Sequence, residues 1–114
     1  MKPKIYVAGK LNDMACDYIK NMHKMIHAAK QIRDFGGAVY VPCVDFLEGL
    51  VSGQFEYEDY FNNSQPFLEI CDAVYVCKGY ETSKGTLREI KLAVEKKIPV
   101  FFNLVELYHW IQKD

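Results

Sequence analysis

A chain of 114 residues suits one domain of ordinary size and is long enough to bury a sizeable core. Its 14 basic and 15 acidic residues leave a net charge of −1, so no whole-chain field draws it to a nucleic-acid polymer or an anionic membrane surface. With 50% of residues in the hydrophobic set, wholesale disorder is excluded.

The opening MKPKIYVAG turns apolar but breaks at Gly9 and Lys10. That run is too short for a secretory leader or a membrane span, and it reads as a buried strand, Lys4–Ala8. Asp13–Phe35 follows with helical spacing, Ile19, Met22, Ile26, Ala29 and Ile32 marking an apolar stripe. Gly36 and Gly37 stop it. Ala38–Val41 is a second strand, ended by Pro42. Strand, helix, strand is the signature of a parallel βαβ unit.

Cys43–Gln54 is less regular. Val44, Phe46, Leu47, Leu50 and Val51 fit a short helix or a packed loop. Phe55–Ile70 reads as a helix with Tyr57, Phe61 and Leu68 inward, and Pro66 is expected to kink or split it. Ala73–Val76 is a third buried strand. Lys78–Gly85 is a polar loop, Thr86–Lys97 a helix burying Leu87, Ile90, Ala93 and Val94, and Ile98–Phe102 a fourth strand. Val105–Ile111 is a terminal helix. A fifth strand has room in the middle segment. The fold class expected is α/β: a flavodoxin-like, doubly wound, mainly parallel sheet of four or five strands in one domain.

Cys16, Cys43, Cys71 and Cys77 form no CxxC or Cys/His cluster, so they read as reduced, buried thiols in a cytoplasmic protein. His23 and His27 share a helix face without an ordered third ligand, and no metal site is expected.

Ligands of open parallel sheets bind beyond the carboxyl ends of the strands. Gly9–Asp13, Pro42–Asp45 and Lys78–Glu89 meet there. Gly9 and Lys10 form either an ordinary strand-to-helix turn or a loop that holds an anion. Asp45, after the second strand, is placed for acid/base work or for a structural cap. In GYETSKGTLREI, Ser83 and Thr86 offer hydroxyls and either can cap the next helix, while Gly85 leaves room for a phosphate or sugar. Glu89 can reach back over the sheet as a nucleophile or sugar ligand, or it can simply face solvent. Tyr6 needs a partner for its hydroxyl if buried, and Glu89 qualifies. Asn103, directly after the last strand, faces the site or a neighbouring subunit.

IYVAG, CDAVYV and SKGTLREIKLAVEKKIPV together resemble the nucleoside 2-deoxyribosyltransferase-like superfamily. The likeness is greatest to a small branch with a G-[WY]-E-x-S-x-G-x-x-x-E segment, here Gly79 to Glu89. It implies a glutamate, Glu89, that attacks the anomeric carbon of a nucleoside or nucleoside 5′-monophosphate, with Tyr6 orienting it. Ser83 and the first loop would contact a 5′-phosphate; the region around Asp45 aligns poorly with the family, so Asp45 stands as the candidate leaving-group acid by its place after the second strand and not by the resemblance. Water or a second base would then take the sugar. The implied chemistry uses no cofactor, and relatives assemble as homo-oligomers. The first loop, GKLND, departs from the arginine- and glycine-rich form of the monophosphate hydrolases, and Arg88 stands where relatives carry a small or aromatic residue. The alternative function is a nucleotide or phosphorylated-sugar binding module without turnover.

Overall fold

The computed structural model describes residues 2–11, 15–44, 51–53 and 57–113. In chain order the elements are β1 (Lys4–Ala8), α1 (Ala15–Phe35), β2 (Ala38–Tyr40), a 3₁₀ turn at Pro42–Val44, α2 (Tyr57–Glu69) and β3 (Ala73–Val76). A 3₁₀ turn at Tyr80–Thr82, α3 (Lys84–Glu95), β4 (Val100–Phe101) and α4 (Leu104–Gln112) complete the order. The strands form one sheet in the order β2-β1-β3-β4, and every pairing is parallel. It is a four-stranded, doubly wound α/β sheet of flavodoxin-like form. Among the described residues no fifth strand joins it.

The two central strands are apolar because both of their faces are covered. Ile5 to Ala8 and Ala73 to Val76 are all buried. On one face Ile5, Val7 and Tyr75 pack with Met25, Ala28, Ala29 and Ile32 of α1 and Leu107 of α4. On the other, Tyr6, Ala8, Val74 and Val76 pack with Leu68 of α2 and Ala93 of α3.

Several sequence expectations need correction. The buried stripe of α1 runs through Met25, Ala28, Ala29 and Ile32. Ile19 and Ile26 lie on its margin and are 65% and 45% exposed. In α3 the inward stripe is Thr86, Glu89, Ile90 and Ala93, so Leu87 and Val94, about 90° around the helix, are exposed rather than buried. That helix starts two residues earlier than expected, because Ser83 is its N-cap. It ends at Glu95, where Lys97 turns left-handed with φ 61°.

β2 and β4 are shorter than expected, Pro42 turning the chain into a 3₁₀ turn after β2. Pro66 does not split its segment: α2 runs through it. Burial of Phe61 and Leu68 on the inward side offsets the roughly 3 kcal/mol that an interior proline costs. The side chain of Tyr57 and residues 45–50 lie outside the described residues, whereas Val51 is 89% exposed.

Cys43, Cys71 and Cys77 are buried thiols. Burial pushes the Cys71 and Cys77 thiols up to about 11, which suits packing rather than reactivity. No helix among the described residues is long and apolar enough to cross a membrane.

Candidate functional site

α1 carries the chain from β1 to one edge of the sheet, and α3 carries it from β3 to the other. The strand order therefore reverses between β1 and β3, and this is the place where open α/β sheets take ligands. Gly9 closes β1 there. A Cβ on Gly9 would come within 3.2 Å of Cys77 and of Met25, so a larger residue there would press on both side chains, and tight packing is one reason for glycine at this position.

Tyr6 sits mid-way along β1, in register with Tyr40 and Val74, and is fully buried. Its phenol donates a hydrogen bond to the Glu89 carboxylate. Glu89 is on the inward stripe of α3, where the helical pattern otherwise places apolar residues. The residue as a whole is half-buried, yet its carboxyl group is enclosed enough that desolvation dominates. Burial pushes it up to about 7, and the Tyr6 hydrogen bond partly opposes the rise. Tyr6 in turn is held well above the usual phenol range, first by burial and then by the neighbouring carboxylate.

Around this pair the wall is aromatic. The rings of Tyr6 and Tyr40 lie 5.6 Å apart, and Tyr40 stacks on Phe67 of α2 at 4.8 Å. Beyond that stack an open groove runs between Lys4, Tyr40, Phe67 and Cys71. Neither Tyr6 nor Glu89 lines it.

The amino end of α3 supplies the polar rim. The Ser83 hydroxyl accepts from the Thr86 backbone N–H at 3.2 Å and shares a 2.9 Å hydrogen bond with the Thr86 hydroxyl. Gly85 lies in the first turn. Lys10 reaches across from the end of β1, its ammonium 2.9 Å from the Thr82 hydroxyl. The first loop and the loop before α3 are thereby tied together. Left-handed Gly79, at φ 90°, starts the 3₁₀ turn that positions Thr82.

Arg88 does not turn towards Glu89. It bonds Glu58 at 2.8 Å and lies 3.7 Å from the centroid of the Phe61 ring, fastening α2 to α3. Asn103 is the N-cap of α4, its side-chain oxygen accepting from the N–H groups of Val105 at 2.7 Å and Glu106 at 3.2 Å. Asp45 lies outside the described residues. Asp72 is a turn residue at the opposite end of the sheet, accepting from the Lys4 N–H at 2.7 Å. The His23 and His27 rings stack 6.4 Å apart, and no cluster of potential metal ligands occurs among the described residues.

The structure thus brings Tyr6 and Glu89 together and ranges Lys10, Ser83 and Gly85 along the loops at the same end of the sheet. Sequence reasoning missed Thr82 and Ser64. Ser64 belongs to α2 and is 4% exposed, and its hydroxyl donates a long hydrogen bond, 3.4 Å, to the Phe61 carbonyl of its own helix. A signal for it was present: Ser64 stands on the stripe between Phe61 and Leu68, at spacings of three and four, where an apolar residue is expected.

Comparison with known proteins adds the following. No curated protein matches the chain. A conserved protein from Enterococcus faecalis V583 matches with a TM-score of 0.66 and 22% identity over 88% of this chain. The chain spans 62% of that protein's length. A 2-deoxyribosyltransferase from the psychrotolerant bacterium Bacillus psychrosaccharolyticus matches with a TM-score of 0.62 and 23% identity, covering 90% of this chain and 78% of the other. At such identities the likeness is one of fold. A family match at the sequence level extends over residues 3–102, and by it the chain belongs to the family described as "Domain of unknown function (DUF4406)".

Proposed function

We propose that the protein breaks the N-glycosidic bond of a small nucleoside or nucleoside 5′-monophosphate, with Glu89 as nucleophile. The observation that carries this reading is the buried Tyr6–Glu89 hydrogen bond beside the point where the strand order reverses. Its fold likeness to a 2-deoxyribosyltransferase supports the same reaction class.

A Glu89 carboxylate oxygen attacks C1′ of the sugar. The C1′–N bond breaks and its electron pair leaves with the base, which takes up a proton from an acid such as Asp45 or from solvent. The sugar remains as an ester on Glu89. Water, or the nitrogen of a second base, then attacks C1′ and frees the carboxylate. Tyr6 fixes the carboxylate's direction, which counts because a misaimed nucleophile forfeits much of the gain from proximity. Lys10, Gly9, Ser83 and Gly85 form the rim that receives the 5′ end, and a phosphate there gains from the free N–H groups at the start of α3. Desolvation makes the ionised carboxylate less stable and more reactive. The acid limb of the reaction accordingly lies near pH 7, where Glu89 titrates.

Self-association belongs to this reading. Exposed Ile70, Leu87 and Val94 offer apolar surface for it, and sedimentation tests it.

The decisive experiment incubates the protein with deoxynucleosides and their 5′-monophosphates, with and without an acceptor base, and resolves products by liquid chromatography and mass spectrometry. Base is released by the wild type, and Glu89→Gln lowers that release by about 10³-fold or more. A folded Glu89→Gln protein with normal turnover would falsify the mechanism. Intact substrates throughout, with measurable binding, would favour the non-catalytic nucleotide-binding module.

A further inference from the structure

Among the described residues β2 is the edge strand beside β1. Its last residue, Tyr40, is in register with Tyr6. Side chains of strand neighbours in register point to the same face, so Tyr40 lies on the face that carries Glu89. The Tyr40 ring packs on the Tyr6 ring, with 5.6 Å between centroids and a tilt of 36°. Phe67 of α2 stacks on Tyr40, with 4.8 Å between centroids and 13° between planes. The result is a row of contacts, Phe67 to Tyr40 to Tyr6, that ends in the hydrogen bond from the Tyr6 phenol to Glu89.

Exposure falls steeply along that row. Phe67 is 45% exposed, Tyr40 is half-buried and Tyr6 is fully buried. The open groove is lined by Phe67 and Tyr40 but by neither Tyr6 nor Glu89. Tyr40 therefore has neighbours of two opposite kinds: a groove open to water, and a buried polar pair. On the other flank of Tyr6 its strand neighbour is Val74, which is fully buried. The groove thus meets the pair at Tyr40. A hydrogen bond in a dry setting is stronger and better aimed than one that water can reach, because water competes for both partners and screens the charge.

We propose that Tyr40, backed by Phe67, is a positioning residue for the Tyr6–Glu89 pair: its ring is the partition that keeps groove water off their hydrogen bond and holds the phenol aimed at the carboxylate. The partition stands on the ring geometry and on the lining of the groove. Only its effect on turnover rests on the reading of Glu89 as nucleophile.

The test follows the Tyr6 hydroxyl proton directly. Protein labelled with heavy carbon at the tyrosine Cζ is placed in equal parts of light and heavy water at one fixed pH, and carbon NMR is recorded without substrate. A slowly exchanging hydroxyl gives separate protonated and deuterated signals, and a fast one gives a single averaged signal. The Tyr6 signal is identified by its loss in Tyr6→Phe. Wild type should show the separated pair, and so should Tyr40→Phe, which keeps the ring. Tyr40→Leu should speed the exchange about tenfold or more. Phe67→Leu removes the backing but leaves the wall, so it should act in the same direction and less strongly. It carries the test if Tyr40→Leu does not fold. Ile32→Ala, a loss of packing on the opposite face, should leave the Tyr6 exchange as it is.

Exchange in Tyr40→Leu as slow as in wild type overturns the proposal. Equally fast exchange in Tyr40→Phe overturns it too, since the effect would then belong to the hydroxyl, and so does an equal acceleration in Ile32→Ala, which would mark general loosening. In turnover, Tyr40→Leu should lower kcat several-fold and leave KM near that of the wild type, because the ring acts behind the nucleophile. A raised KM with unchanged kcat would make Tyr40 a substrate contact instead and overturn the positioning role. If the wild type releases no base, the enzyme reading fails, and the exchange rates alone decide the partition.

Discussion

The two faces of the sheet use the same strands for different ends. On the face covered by α1 and α4, the buried residues are aliphatic, thiol or aromatic, from Ile5 and Val7 to Ile32 and Leu107. The face covered by α2 and α3 has a comparable apolar floor of Ala8, Val74, Val76 and Leu68. Into it are set the Tyr6 phenol, the Ser64 and Thr86 hydroxyls and the Glu89 carboxyl. Strand alternation makes this division possible, since Ile5 and Val7 point one way and Tyr6 the other. The first face can be chosen for burial alone. The second sacrifices stability for a directed polar group, the pattern expected where a fold carries chemistry.

The largest effect that separates the faces comes from the apolar side. Ile32→Ala removes a fully buried side chain and should cost about 2–5 kcal/mol of stability, measured by urea denaturation. Base release per folded molecule should be unchanged, because Ile32 touches no polar member of the other face. A change in turnover without a change in folding would break the division.

Glu89→Gln should do the reverse. The folded protein raises the Glu89 carboxyl from its ordinary value of 4.5 to about 7, so between those values the folded state holds a proton that the unfolded chain has released. Stability therefore falls as pH rises through that window. Below it the burial carries no ionisation penalty, and above it the penalty is complete. Glutamine removes the penalty and keeps an oxygen for the Tyr6 phenol. The variant should match wild type near pH 4 and exceed it by about 1–3 kcal/mol at pH 8. Denaturation midpoints across that range measure it, and a variant less stable at pH 8 would contradict the account.

The same contrast explains what could be read from the chain beforehand. The central strands were legible because their apolar runs are continuous, and the switch point followed from the alternation of strands and helices. Glu89, Tyr6, Ser83 and Lys10 were legible as residues with reach and chemistry at strand ends. Stripe boundaries were not: Ile19, Ile26, Leu87 and Val94 share the spacing of a buried face but lie at its margin, and spacing alone does not fix the centre of a stripe. Pro66 misled for a related reason, since tertiary packing outweighed its local penalty. Ser64 and Glu89 are interruptions of an apolar pattern, and an interruption declares itself only when the stripe's centre is known.

A smaller effect sharpens the comparison at the rim. Ser83 caps α3 on the functional side, and Asn103 caps α4 on the other. Alanine at either position should cost about 1 kcal/mol, so stability cannot tell the two caps apart. Aspartate at Ser83 can. It keeps an oxygen for the Thr86 N–H, and its charge suits a helix N-terminus, so stability should stay close to wild type. The same charge repels a 5′-phosphate bound at the rim beside Lys10. Ser83→Asp should therefore raise KM about tenfold for a nucleoside 5′-monophosphate, a loss of about 1.4 kcal/mol in binding, and leave the free nucleoside unaffected. Equal KM changes for the two substrates would mean that Ser83 serves α3 alone, and that the polar rim ends at Tyr6 and Glu89 rather than reaching the loop.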